Sequence, residues 1–120
     1  MLNFGSVLIG SPQPQVMAEF YEKILGKPAD WKEDNFYAWK VGNTYLAIGE
    51  HSEVKGKAKE PQRVILNFET TEVKEEFERI RSSGTRVIKE PYEFENILIA
   101  TFADPDGNYF QIMSPFQMIK

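Results

Sequence analysis

A five-residue turn near the end of the chain, Asp-Pro-Asp-Gly-Asn at positions 104–108, most constrains how this sequence folds. Pro105 presets the φ angle of the second turn position, and the side chain of Asp104 can accept hydrogen bonds from the backbone ahead of it. Gly107 accepts the backbone geometry with which a tight turn ends. The spacing predicts a type I turn, and we interpret Asp104 and Asp106 as turn residues rather than as an acid/base pair.

The segments on either side of this turn are rich in β-branched and aromatic residues, at 97–102 and 109–113. Two such runs joined by a short turn predict a β-hairpin. Because side chains alternate along a strand, Gln111 is expected to face the opposite way from its two apolar neighbours.

The first half of the chain predicts a strand, a helix and three further strands. Pro14 suits the first turn of the helix, apolar residues then recur at helical spacing, and Gly26 ends it. A Gly-Asn pair at 42–43 predicts a turn between the last two strands. The predicted strands are 2–9, 29–32, 36–41 and 44–49.

The second half repeats this order. A strand is predicted at 63–69, followed by a helix that Thr71 caps and Gly84 ends. Three more strands are predicted at 85–89, 97–102 and 109–114. A shift of the sequence by 57 positions superposes Phe20 on Phe77 and Val7 on Val64. We therefore expect a single domain of two βαβββ modules, with module 1 at about 1–50, a linker at about 51–62 and module 2 at about 63–120.

Composition excludes several classes of function. The chain has 120 residues, which is the size of one domain, and it contains no cysteine, so disulfides, thiolate metal sites and cysteine nucleophiles are excluded. A net charge of −4 argues against nucleic acid as a partner. No apolar run approaches the ~18 residues that a membrane helix needs, so no membrane partner is expected. We expect a cytoplasmic protein.

Two motifs carry a resemblance to a known family. The run from Asp104 to Gln111 resembles the signature "DPDGN, apolar, Glu" that closes the vicinal oxygen chelate superfamily of glyoxalases, bleomycin-resistance proteins and extradiol dioxygenases. The strand at 7–9 and the segment 18–26, with its "FY…LG" ending, are similar to the family's first strand and helix. The resemblance implies an α+β fold whose paired βαβββ modules curl mixed sheets around a concave pocket, often completed across a homodimer.

The resemblance also indicates where metal ligands would stand in the enzymes of this family. The first position falls on Ser6, the next on Ile65 or Arg63, and the terminal Glu position on Gln111. The remaining position lies within 45–49, which holds neither a carboxylate nor an imidazole. Divalent ions require several anionic or imidazole donors, so the sequence predicts neither a bound metal nor another cofactor.

The histidine count supports the same prediction. A facial triad for iron needs two histidines and a carboxylate, and the chain holds only His51, in the linker. We interpret His51 as an exposed loop residue, with a role as a base at a pocket rim as the alternative.

Strand alternation predicts which side chains face a ligand pocket. Weakly polar and aromatic residues are left on the faces that do not pack on the helices, and such a lining is typical of small-molecule sites. The alternative is that these residues fill the concavity as core. The facing of Tyr37, Trp39 and Tyr45 is left open by the sequence. The predicted ligand-binding residues are Ser6, Trp39, Asn67, Tyr109, Gln111 and Met113.

Three functions follow from these expectations. The first is a glyoxalase-like or bleomycin-resistance-like protein, a metal-independent homodimer that binds a small molecule. The second is a metal-dependent lyase, isomerase or dioxygenase of the same superfamily. The third is a protein-interaction module with a filled cleft. The first agrees best with the missing metal donors, and it names no catalytic residue.

Overall fold

The computed structural model describes residues 1–115, so the end of the predicted second module, at 116–120, lies outside the described residues. Contacts between backbone positions divide the chain into two compact units, Met1–Gly56 and a second that begins at Lys57. Each unit contains a strand, a helix and three strands, in that order. The predicted fold class, α+β with two βαβββ modules in one chain, is confirmed.

The first unit forms a four-stranded mixed sheet with the order β1-β4-β3-β2. Strands β1 and β4 pair in parallel, whereas β3 pairs with both of its neighbours in the antiparallel sense. The elements are β1 (Ser6–Ser11), α1 (Pro14–Leu25), β2 (Trp31–Glu33), β3 (Phe36–Val41) and β4 (Thr44–Glu50).

The second unit has the same topology, with the order β5-β8-β7-β6 and a parallel β5–β8 pair. The predicted hairpin around the Asp-Pro-Asp-Gly-Asn turn is confirmed, because β7 and β8 pair in the antiparallel sense. The elements are β5 (Leu66–Glu69), α2 (Val73–Ser82), β6 (Arg86–Phe94), β7 (Ile97–Ala103) and β8 (Tyr109–Met113).

The core of the first unit lies between α1 and one face of its sheet. The helix begins with Pro14 and ends at Gly26, whose φ of 75° is a left-handed conformation that glycine adopts without strain. Met17 and Tyr21 are fully buried on the helix, as is Ile48 on β4. Burying a large apolar side chain contributes roughly 1.5–3 kcal/mol to the free energy of unfolding. The buried side chains of α1 therefore determine which face of the sheet the helix covers.

The core of the second unit is a column of aromatic rings. Phe77 of α2 stacks on Phe102 of β7 with 5.4 Å between ring centroids, and Phe102 stacks on Phe110 of β8 at 5.5 Å. Phe68 of β5 meets Phe110 edge-on at 6.1 Å. These contacts place α2 on the face of the sheet that carries Phe102 and Phe110.

Three details of the second unit differ from the sequence prediction. Strand β5 begins at Leu66 rather than at residue 63. The N-cap of α2 is Glu72 rather than Thr71, and the hydroxyl that accepts a hydrogen bond there is that of Thr70, 3.0 Å from the Glu72 nitrogen. Strand β6 continues to residue 94 instead of ending at 89, although Pro91 lies within it. This is possible because β6 is an edge strand with register shifts on both sides of Lys89, and an edge strand tolerates a proline without its N–H.

No helix within residues 1–115 combines the length and the apolar character needed to cross a membrane.

Candidate functional site

The face of the second sheet that is opposite α2, here called the second open face, carries a row of polar side chains. Asn67 on β5 is in register with Gln111 on β8, Gln111 with Thr101 on β7, and Thr101 with Lys89 on β6. Residues in register across a sheet share a face, so these four side chains form one line over all four strands. We call Asn67, Gln111, Thr101 and Lys89 the polar row.

A hydrogen bond fixes the centre of the polar row. The side-chain Nε2 of Gln111 donates to the hydroxyl oxygen of Thr101 at 3.0 Å. Thr101 is 5% exposed and Gln111 is half-buried, so the bond lies below the ends of the row, where Asn67 and Lys89 are exposed. With its nitrogen turned to Thr101, the Gln111 amide presents its carbonyl oxygen as an acceptor.

Apolar and aromatic side chains flank the polar row. Tyr109 lies two residues before Gln111 on β8, and Met113 lies two residues after it, so both share its face. Met113 is in register with Ile99, which in turn is in register with Tyr92. The Nζ of Lys89 lies 4.4 Å from the centroid of the Tyr92 ring, within the range of a cation–π contact.

The turn at 104–108 holds the register of this face. The buried Asp104 accepts hydrogen bonds from the backbone nitrogens of Asp106 at 2.9 Å and Asn108 at 3.0 Å. It also accepts from the side-chain nitrogen of Asn108 at 3.0 Å. The Gly107 nitrogen bonds to the Asp104 carbonyl at 2.9 Å, as in a type I turn. The carboxylate of Asp104 thus accepts its hydrogen bonds from within the turn, and the turn closes the hairpin that aligns Gln111 with Thr101.

In the first unit, Ser6 and Trp39 lie on opposite sides of the sheet. Ser6 is exposed and in register with Tyr45, on the face opposite α1. Trp39 is fully buried on the α1 side, and its Nε1 donates to the Lys27 carbonyl at 3.0 Å. Tyr37, two residues earlier, shares its side. We therefore leave Trp39 out of the candidate site and assign Tyr45 to the open face.

The donors at the expected ligand positions do not fit a divalent metal ion. Ser6 and Gln111 offer neutral oxygens, Ile65 offers none, and Arg63 is a cation that pairs with Glu60 at 3.1 Å. Within residues 1–115, no three or more histidine, aspartate or glutamate side chains lie close enough together to hold a metal. Structural and catalytic sites for such ions use several anionic or imidazole donors, which this set lacks.

The structure adds three residues that sequence reasoning missed on the second open face, Thr101, Lys89 and Tyr92. Thr101 had a usable signal, because it is the one polar residue in the strand 97–102 and alternates with the buried Phe102. Lys89 and Tyr92 had none. They lie three residues apart, and the register shift between them breaks the alternation that would have placed them on one face.

The fold is shared with solved structures of low sequence identity. A protein of unknown function from Agrobacterium tumefaciens has a TM-score of 0.80 at 17% identity, with 97% of this chain and 96% of that chain covered. A glyoxalase/bleomycin resistance protein from Albidiferax ferrireducens has a TM-score of 0.73 at 20% identity, with coverages of 93% and 98%.

A third structure, a glyoxalase/bleomycin resistance protein/dioxygenase family enzyme from Burkholderia phytofirmans, has a TM-score of 0.71 at 22% identity, with coverages of 96% and 100%. No curated protein matches the sequence. Residues 6–113 match the family described as "Glyoxalase-like domain", which spans both βαβββ modules. The chain therefore belongs to the glyoxalase-like domain family, within the vicinal oxygen chelate superfamily.

Proposed function

We propose that this protein is a homodimer that binds a small organic molecule on the second open face, without a metal ion. The observation that carries the proposal is the polar row, in which two neutral amides, a hydroxyl and a lysine stand in line across four strands between apolar and aromatic neighbours. Small-molecule sites combine mostly apolar walls with a few polar groups that fix the orientation of the ligand.

The chemistry of the polar row supports binding through hydrogen bonds and packing. Gln111 offers an acceptor, Asn67 offers an acceptor and two donors, and Lys89 offers a cation. Tyr109 and Met113 are half-buried beside them and offer apolar surface to a ligand. Metal-dependent lyase, isomerase or dioxygenase chemistry is the less favoured alternative, because the donor set does not suit a divalent ion.

The homodimer is supported by the open face of the first sheet. Leu8 is 55% exposed there, and Trp31, Phe36 and Tyr45 are also large, exposed side chains on strands of this sheet. Trp31 and Phe36 meet edge-on with centroids 5.4 Å apart, so they form a continuous aromatic surface. Apolar clusters of this kind on a protein surface mark interaction sites. A cytoplasmic location is part of the proposal and rests on the sequence expectation.

The binding proposal is tested by thermal shift with a panel of small aromatic and heterocyclic compounds that carry polar substituents. A ligand that binds the native state raises the melting temperature as its concentration rises. Hits are then measured by calorimetry against Gln111→Ala, with Gln62→Ala, an exposed loop glutamine, as the matched control.

We expect Gln111→Ala to weaken binding about tenfold, the effect of one lost hydrogen bond, and Gln62→Ala to leave it unchanged. Equal affinities for both variants would place the ligand elsewhere. A panel without any hit would favour the third function, an interaction module with a filled cleft.

A further inference from the structure

A second candidate site lies in the first unit, where the parallel strands β1 and β4 end side by side. Ser11 and Glu50, the last residues of these strands, are in register. The segments that follow them, towards α1 and into the loop at 51–56, line an open cleft of about 540 Å³ at the surface. This volume lies within the ~300–1,000 Å³ of small-molecule sites. The cleft is lined by Pro12, Glu50, His51, Ser52, Val54 and Lys55.

The loop that carries most of the lining is held in a defined turn. The Val54 nitrogen donates to the His51 carbonyl at 3.1 Å, and the Glu53 nitrogen donates to the His51 Nδ1 at 3.2 Å. An imidazole that accepts at Nδ1 carries its hydrogen on Nε2. The turn therefore sets the tautomer of His51 and leaves Nε2–H as a donor for a ligand.

A glycine on the neighbouring strand allows the loop to lie close to the sheet. A Cβ atom at Gly10 would stand 3.2 Å from the Cβ of His51 and 3.2 Å from Cγ2 of Val54. Contacts this short are tighter than ordinary van der Waals packing, so a Cβ at position 10 would require His51 and Val54 to shift by a few tenths of an ångström. The loop therefore packs against the backbone of β1 at Gly10, and this contact positions His51.

The lining of the cleft contains a negative charge, a positive charge and two neutral side chains that can form hydrogen bonds. Lys55, Ser52 and the Nε2–H of His51 are donors suited to a carboxylate, and Glu50 is an acceptor suited to an ammonium group. Neither Glu50 nor Lys55 forms an ion pair with another described residue, so both charges are available to a ligand.

We propose that this cleft binds a small free amino acid. The carboxylate of the ligand is held by Lys55, Ser52 and His51, its ammonium group by Glu50, and its side chain lies against Pro12 and Val54. The site belongs to the first unit and uses none of the polar row, so the inference stands independently of the proposed function.

The test uses His51 as a reporter, because it is the single histidine of the chain and its ring signals in an NMR spectrum need no assignment. L-valine is the probe, and isobutylamine and 3-methylbutanoate are its matched controls, since each keeps the isopropyl side chain of valine and only one of its two charged groups. We expect valine to shift the His51 ring signals saturably and each control to bind roughly tenfold or more weakly, because one charge-assisted contact is lost.

Variants locate the binding within the cleft. Glu50→Gln and Lys55→Met are expected to weaken valine binding roughly tenfold. Their controls, Glu33→Gln and Lys59→Met, change exposed residues of the same charge outside the lining and are expected to bind as the wild type does. The proposal is overturned if valine leaves the His51 signals unchanged, if the singly charged controls bind as tightly as valine, or if the paired variants behave alike.

Discussion

The amide of Gln111 is tied to the hydroxyl of Thr101 across two antiparallel strands, with 3.0 Å between Nε2 and Oγ1. A glutamate at position 111 would present two acceptor oxygens and a charge, whereas glutamine presents one neutral oxygen and uses its nitrogen within the protein. At this position the chain therefore offers a hydrogen-bonding group suited to an organic ligand in place of an anionic donor suited to a metal.

Asp104 is the residue whose loss is expected to damage the second unit most directly. Asp104→Ala removes the acceptor for two backbone nitrogens and for the Asn108 side chain in a site that is 5% exposed. We expect the free energy of unfolding to fall by about 3 kcal/mol, because buried donors lose a charged partner. Urea unfolding measures this change.

The isosteric Asp104→Asn separates the charge from the geometry. It keeps one acceptor oxygen, so we expect about half of the loss seen with alanine. Glu93→Ala, at an exposed position on β6, is the control and is expected to change the stability by less than about 0.5 kcal/mol. Equal effects of all three substitutions would contradict the role of Asp104 in the turn.

At the scale of elements, the segment that leaves α1 is fastened to β3 by a group of hydrogen bonds. Oδ2 of Asp30 accepts from the Lys40 nitrogen at 2.7 Å and from the Lys27 Nζ at 3.0 Å. The same Nζ donates to the Lys40 carbonyl at 2.8 Å. Together with the bond from Trp39 to the Lys27 carbonyl, these contacts hold the end of the helix against the sheet.

These hydrogen bonds make the stability of the first unit depend on pH. The hydrogen bond from the Lys40 backbone, followed by that from Lys27, lowers the pKa of Asp30 below its ordinary value of 3.8. A lowered folded-state pKa contributes stability above the ordinary value and loses it as the pH falls through the folded-state pKa. Melting temperatures measured between pH 6 and pH 2 are expected to be higher for the wild type than for Asp30→Asn at the pH 6 end of the range.

The two proteins are expected to converge in acid, where Asp30 becomes protonated and loses its charge. A gap that is constant over the whole pH range would show that the Asp30 charge contributes nothing to stability. Asp34→Asn, at an exposed position between β2 and β3, is the control for a general effect of one removed charge.

The elements that the sequence predicted well are those with a single dominant local signal. The turn at 104–108 and the glycine at position 26 specify their own backbone geometry, so the β7–β8 hairpin and the end of α1 lie where they were expected. The orientation of Gln111 followed from the same hairpin, because its neighbours Phe110 and Ile112 are both buried.

The parts that the sequence did not predict depend on contacts with distant residues. In β3 both alternating sets contain an aromatic residue, so alternation alone could not decide whether Trp39 or Phe36 faces α1. The pairing with β4 and the bond to the Lys27 carbonyl decide it. Likewise, the extension of β6 past Pro91 depends on its position at the edge of the sheet.

At the scale of the molecule, the two units share the same arrangement of one helix and one sheet. Each covers a single face of a four-stranded sheet with one helix and leaves the other face open. The two open faces differ in character. The first carries exposed Leu8, Trp31 and Phe36, and the second carries the polar row. We infer a division of roles, with the apolar face forming an interface and the polar face binding a ligand.

The interface role predicts the mass of the protein in solution. Wild type is expected to sediment as a dimer, and Leu8→Glu as a monomer, because the substitution places a charge in the apolar surface that the partner covers. Val64→Glu is the matched control, since Val64 is 69% exposed and lies in the segment before β5, outside the first sheet. A monomeric wild type would remove the homodimer from the proposal.

The claim that ligand binding needs no metal is tested most directly by one measurement, the ligand-dependent melting temperature with and without a strong chelator. We expect a compound that raises the melting temperature to do so equally in both conditions, and Gln111→Ala to diminish the rise in both. A rise that disappears with the chelator and returns with zinc, manganese, nickel or iron would contradict the account.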